Sequence, residues 1–163
     1  MYLKQVVGRV RDIHTIVIEA DFNHYGTGFS SHIPLELSKK DKNDVSISIN
    51  GAFRTEETQG LILYLCRLAP YAVYGAGTWS VTYKNEEWDS EFRHFLEPSI
   101  IDSLPETDWQ HELRQIQDIL HQYGIRILSK VEIAQKLDFE LHIPTVLSDP
   151  PYTVFDCFFY WAD

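Results

Sequence analysis

Cysteine is scarce: two in 163 residues, with no CxxC. Cys66 and Cys157 stand far apart in apolar surroundings (LYLCRL and FDCFF), so no disulfide framework is expected. Each reads as a small hydrophobe, buried and reduced, which fits a reducing, cytoplasmic setting. Long apolar runs are also missing. The longest, residues 60–77, has Arg67 near its middle and Pro70 just after. An arginine at the bilayer centre costs at least ~2.5 kcal/mol, so the run reads as a buried helix followed by a strand, and no membrane span is expected. The start, MYLKQVVGRVRD, shows no charged stretch leading into an apolar one, and no secretory leader is expected.

Catalytic and cofactor signatures are lacking too. HELRQ at 111–115 shares only its first two letters with a zinc-binding HExxH, and His121 lies ten residues beyond His111. The seven histidines are scattered singly. His24 and His32 flank the glycines of HYGTGFSSH and could meet across a hairpin, but turn-flanking surface histidines are the simpler reading. Gly26-Thr27-Gly28 and Gly75-Ala76-Gly77 do not extend to GxGxxG, and there is no P-loop and no GxSxG elbow. Apolar neighbours blunt both thiols as nucleophiles. Asp156 interrupts an aromatic run, and a satisfied hydrogen-bond acceptor explains it more simply than catalysis. No catalytic set, metal or cofactor is expected. Basic clusters are equally thin: Lys39, Lys40 and Lys42 are diluted by Asp41 and Asp44. Nucleic acid, which demands clustered Lys and Arg, is therefore excluded as a partner.

What the chain does have is acid and aromatics. Its formal net charge is −10 and 13% of it is aromatic. Residues 1–50 balance six basic against six acidic side chains, so the whole deficit lies in 51–163. It is densest in 86–112, where Glu86, Glu87, Asp89, Glu91, Glu97, Asp102, Glu106, Asp108 and Glu112 face only Arg93. Trp88, Phe92 and Trp109 stand among these acids. Charged surroundings with aromatic anchors suit docking onto a basic protein, although acidic surfaces also serve solubility alone.

The length favours a single domain over 1–163, burying roughly 70% of its unfolded surface. Tyr2–Val10 and Thr15–Glu19 read as strands. Residues 34–44 read as a polar connection with one helical turn. VSISIN, 45–50, alternates as a strand with one wet side. Thr55, Glu56 and Glu57 suggest a helix start, and the apolar run to Ala69 a buried helix stopped by Pro70. Gly75–Gly77 reads as a turn into a strand at Thr78–Tyr83. Residues 86–96 favour a helix, with Asn85 as cap, over a strand. Trp109, Leu113, Ile116, Leu120 and Tyr123 give the clearest helical spacing, with Thr107 and Gln110 as a capping box and Gly124 as the stop. Residues 125–128 read as a short strand. Ser129 and Glu132 form a second capping box, with Leu128 packing on Ile133.

The chain closes on DPPYTVFDCFFYWAD, with six aromatics in ten positions. Six exposed rings would make a patch that soluble monomers rarely carry. A buried C-terminal strand is therefore expected, with a helix begun by the prolines as the alternative. The fold class is α+β: a mainly antiparallel sheet with three or four helices packed on it. The favoured function is a non-catalytic acidic protein engaging a basic partner, of inhibitor or immunity type, through Glu86, Glu87, Trp88, Asp89, Glu91, Asp108 and Glu112. The alternatives are a small enzyme or ligand-binding domain, with a pocket near residues 24–32 or 74–78, and a homodimer joined through the C-terminal aromatics.

Overall fold

A computed structural model describes residues 2–23, 29–145 and 148–162. Its centre is one long hairpin. Strand β5 (Phe53–Cys66) turns back as β6 (Tyr71–Lys84), and thirteen residue pairs join them. The expected helix over 55–69 is thus a strand. GLILYLC is apolar on successive residues because both faces are covered, the pattern of a central strand. A run of that kind has no period that distinguishes strand from helix. The expected turn at Gly75–Gly77 lies inside β6, where glycines admit neighbours too close for a Cβ. A Cβ on Gly75 would fall 2.6 Å from the Ile100 carbonyl oxygen.

Around the hairpin, the main sheet runs β1 (Ile16–Ala20), β3 (His32–Lys39), β5, β6, β7 (Glu87–Arg93). Strand β4 (Val45–Asn50) pairs with the outer half of β5, and β8 (Arg126–Ile127) joins β6 in parallel. The other main-sheet pairings are antiparallel. The α+β class holds, as a large, mostly antiparallel, curled sheet with four helices among the described residues.

Alternation sorts the inner half of the sheet into two cores. Ile33, Leu35, Leu37, Leu61, Leu63 and Leu65 point to one face. They meet Val6, Val7 and Val10 of α1 (Tyr2–Arg11), and Trp109, Leu113, Ile116 and Leu120 at the start of and along α2 (Gln110–Gln122). Ile62, Tyr64, Cys66 and Val73 point the other way. They pack on Leu96, Ile101, Leu128, Ile133 of α3 (Lys130–Ile133), and Phe155 and Phe159 in and after α4 (Val154–Phe158).

Several expectations are corrected here. Residues 2–10 are helical: their valines sit at i, i+1 and i+4, the spacing of a helix face, and β-branching masked it. Residues 34–39 are strand, with His32 and Glu36 buried. The carbonyl of Pro34 accepts from Asp21 N just past the last β1 pair. The missing N–H of Pro34 therefore faces the β1 side, beyond the last β1 pair, while the pairing to β5 continues through Pro34 and Tyr64. The C-terminal aromatics form the short helix α4, which Thr153 and Asp156 open with a capping box. A two-residue strand, β9 (Trp161–Ala162), follows and pairs with β2 (Phe29–Ser30) outside the main sheet. The expected burial holds for Tyr152, Phe155 and Phe159, whereas Phe158, Tyr160 and Trp161 are half-buried.

Three expected features are present as read. Ser129 and Glu132 form their capping box, with the Ser129 N–H and hydroxyl both donating to the Glu132 carboxylate at 2.8 Å. Gly124 follows α2 at φ +70°, the left-handed position that favours glycine. Both cysteines are free, Cys66 buried as expected and Cys157 only half-buried. The N-cap of α2 is Trp109, with the Asp108 carboxylate accepting from Gln110 N at 3.0 Å, so Thr107 does not cap it.

Candidate functional site

Beyond Gly60 and Gly77 the sheet leaves both cores, save for Trp79, which packs against the second. Residues 53–59 of β5, 78–84 of β6, and all of β4 and β7 are exposed or half-exposed, so four strands project as a two-sided arm. Paired residues share a face. On one face lie Ile47 and Ile49, Arg54 and Glu56, Val81 and Tyr83, then Trp88 and Glu91. The other carries Ser46 and Ser48, Thr55 and Glu57, Ser80 and Thr82, then Glu87 and Phe92. The expected dry side of β4 is therefore absent: Ile47 is 59% exposed and Ile49 74%.

The predicted helix at 86–96 is replaced by strand β7 because Asn85 and Glu86 make a two-residue hairpin turn, both with positive φ (51° and 66°). Such turns match the twist of the strands they join. Asn85 is a turn residue here and not a helix cap. The register slips between Tyr83 and Thr82, leaving Asp89 as an extra residue, a bulge between Trp88 and Ser90. Trp88 thereby stands out on one face at 64% exposure and Phe92 on the other at 60%.

Five of the seven predicted contact residues come together on this hairpin: Glu86, Glu87, Trp88, Asp89 and Glu91. The other two do not join them. Asp108 stands at the start of α2, and Glu112, within α2, is buried and bound to Lys39 Nζ at 2.6 Å. Glu112 is thus a core ion pair, not a contact residue. Burial, the largest single influence, would raise its carboxyl, but the Lys39 ammonium, by hydrogen bond and charge, together with hydrogen bonds from its own backbone and Thr15, holds it below its ordinary value.

Where the arm meets the body, the acids continue into a cleft of about 340 Å³ lined by Glu19, Asp21, Pro34, Glu36, Glu91 and Arg93. Arg93 spans it. Its guanidinium binds the buried Glu36, contacts Glu91 at 3.3 Å and Glu19 at 3.6 Å. Burial pushes Glu36 up despite Arg93, while Glu36 and Glu91 hold Arg93 above its ordinary value against the effect of burial. In the sequence Arg93 is a lone base among acids. That Glu19 and Glu36 meet it follows from the sheet's curl, which no local pattern encodes.

The alternative pockets are less developed. Residues 24–28 lie outside the described residues, and with them the proposed His24–His32 pair. His32 itself is buried, stacks on Tyr64 at 4.0 Å between ring centres, and lies 3.1 Å from Ser30 Oγ. Near residues 74–78 a shallow cleft of about 250 Å³ is lined by Gln59, Gly77, Thr78, His94 and Glu106. Asp156 accepts from Thr153 N and Oγ1, each at 2.7 Å, and from Ser148 Oγ at 2.5 Å, a satisfied capping residue. Burial raises both thiols. Among the described residues no three His, Cys, Asp or Glu side chains gather to hold a metal, and no helix is long and apolar enough to cross a membrane. Comparison with family models, curated proteins and solved structures finds no match.

Proposed function

We propose that this is a non-catalytic binding protein whose projecting sheet engages a basic protein, in the manner of an inhibitor or immunity-type partner. The observation that carries the reading is the outer hairpin. Trp88 and Phe92 stand exposed on opposite faces of β7, within a chain segment bearing Glu86, Glu87, Asp89 and Glu91. Large exposed apolar side chains in a charged rim mark interaction sites. The charge selects a cationic partner and speeds its approach. Six acids against three bases (Arg54, Lys84 and Arg93) occupy the arm over residues 45–60 and 77–93, and two of those bases are already engaged by acids, Arg54 by Glu56 and Arg93 by Glu36. A cytoplasmic setting belongs to the same reading and rests on the two free thiols.

The test is affinity capture from the native lysate at low and high ionic strength, with identification of what is retained. A basic protein should be held at low salt and released at high salt. Trp88→Ala should weaken its retention at least about tenfold, the scale of a buried aromatic anchor. Retention that is indifferent both to salt and to Trp88→Ala rejects the arm as the docking surface.

A further inference from the structure

The proposed docking surface ends in an unpaired strand. β7 pairs only with β6, so the backbone groups along its outer edge have no ladder partner within the described sheet. Edges of this kind are templates for another strand. The arm has a second such edge, β4, and charge separates the two. VSISIN carries no charged side chain and discriminates against nothing, whereas β7 carries three acids, Glu87, Asp89 and Glu91, against one base, Arg93. Acids along an edge repel a second copy of an acidic chain and any acidic strand, and they favour a basic one. The acids also continue past the end of β7 into the cleft of Glu19, Asp21 and Glu36. Negative charge thus dominates the strand from Glu87 to Glu91, and Arg93 at its end is taken up by Glu36, Glu91 and Glu19.

From this edge we infer that the partner presents a basic segment in extended conformation, which adds to the sheet as a strand alongside β7. This deepens the proposed function and rests on it. The regular stretch Ser90–Arg93, beyond the bulge, supplies the ladder. Trp88 on one face and Phe92 on the other lie beside the added strand, where apolar side chains of either alternation would cover them. Lysines or arginines flanking that ladder meet Glu87 and Asp89, whereas Glu91 is already engaged by Arg93. Main-chain bonds give such additions their affinity, and alternate side chains give them selectivity.

The probe is a ten-residue peptide of alternating lysine and valine, titrated against the full chain at low ionic strength. Its control is the same peptide N-methylated at every backbone nitrogen, which keeps the charge and removes the ladder donors. The alternating peptide should bind and slow amide exchange within Glu87–Arg93. The methylated peptide should bind about tenfold more weakly or worse. The double variant Glu87→Lys, Asp89→Lys should lose the binding while keeping the wild-type melting temperature. Equal binding of the two peptides, or protection of Val45–Asn50 in place of β7, overturns strand addition at this edge and leaves the acidic surface standing. Failure of both peptides to bind overturns the inference together with the proposed function.

Discussion

Lys39 is the most informative single residue outside the arm. In sequence it belongs to a thin basic cluster with Lys40 and Lys42. In the fold its side chain is 14% exposed, bound to Glu112 at 2.6 Å and lying over the Trp109 ring at 4.8 Å. The pair fastens β3 to the first turn of α2, and it has a definite pH signature. Glu112 is held below 4.5, so its contribution to stability is fully present above that value and is lost as pH falls through the depressed one. Glu36 has the opposite sign: its carboxyl is raised, so its contribution is present below 4.5 and lost as pH rises through the folded value. Lys39→Met should cost about 3 kcal/mol at neutral pH, because it leaves Glu112 buried without its cation. The gap between wild type and variant, read from urea unfolding, should shrink on acidification as Glu112 is neutralised. A gap that stays constant down to low pH would show that Lys39 acts through packing alone.

At the scale of elements, glycine decides how the arm joins the body. A Cβ on Gly60 would fall 2.3 Å from the Leu37 carbonyl oxygen and 2.4 Å from the Trp79 ring, which lies across it. Leu37 is backbone of the neighbouring strand and cannot swing aside. Gly60→Ala should therefore destabilise by about 1–3 kcal/mol, whereas Gly77→Ala, which meets the Cδ1 and Cγ1 atoms of the buried Ile62 side chain but no backbone, should cost less. Thermal unfolding of the two variants checks the order, and a Gly60→Ala as stable as wild type would mean that the ring and strand yield.

The same elements show what was legible in the sequence. Where one face is wet, as along α2, the spacing of Trp109, Leu113, Ile116 and Leu120 declares the helix. Capping chemistry was equally local and equally readable at Ser129 and Glu132. Where both faces are dry, as over residues 61–66 of β5, no period survives and a helix and a strand look alike. The hairpin turn at Asn85–Glu86 uses a glutamate at positive φ, a residue that gives no turn signal, so the sequence of β7 resembles a helix. For the site, the acids and Trp88 were visible from composition. The exclusion of Glu112, which lies within the same acidic run, depended on a lysine 73 positions away.

The whole molecule divides its stability unevenly along the one long hairpin, and that division sets the conditions under which the arm can bind. Inside Gly60 and Gly77 each strand is sealed between two cores, with Leu61, Leu63 and Leu65 all at 0% exposure. Outside them, Trp79 apart, the same strands are half-exposed or exposed on both faces and have little apolar burial to offset the entropy of staying ordered. Local opening should follow that gradient, since segments with few buried contacts open at the low end of the free-energy range. Native-state amide exchange should show Leu61–Cys66 opening only with global unfolding, and Phe53–Gln59 and β7 opening at lower free energy. A strand that adds to β7 would extend the ladder where it is weakest, so partner binding should slow exchange in the arm more than in the inner sheet. Uniform protection along β5 in the free protein would contradict this division and make the arm as rigid as the core.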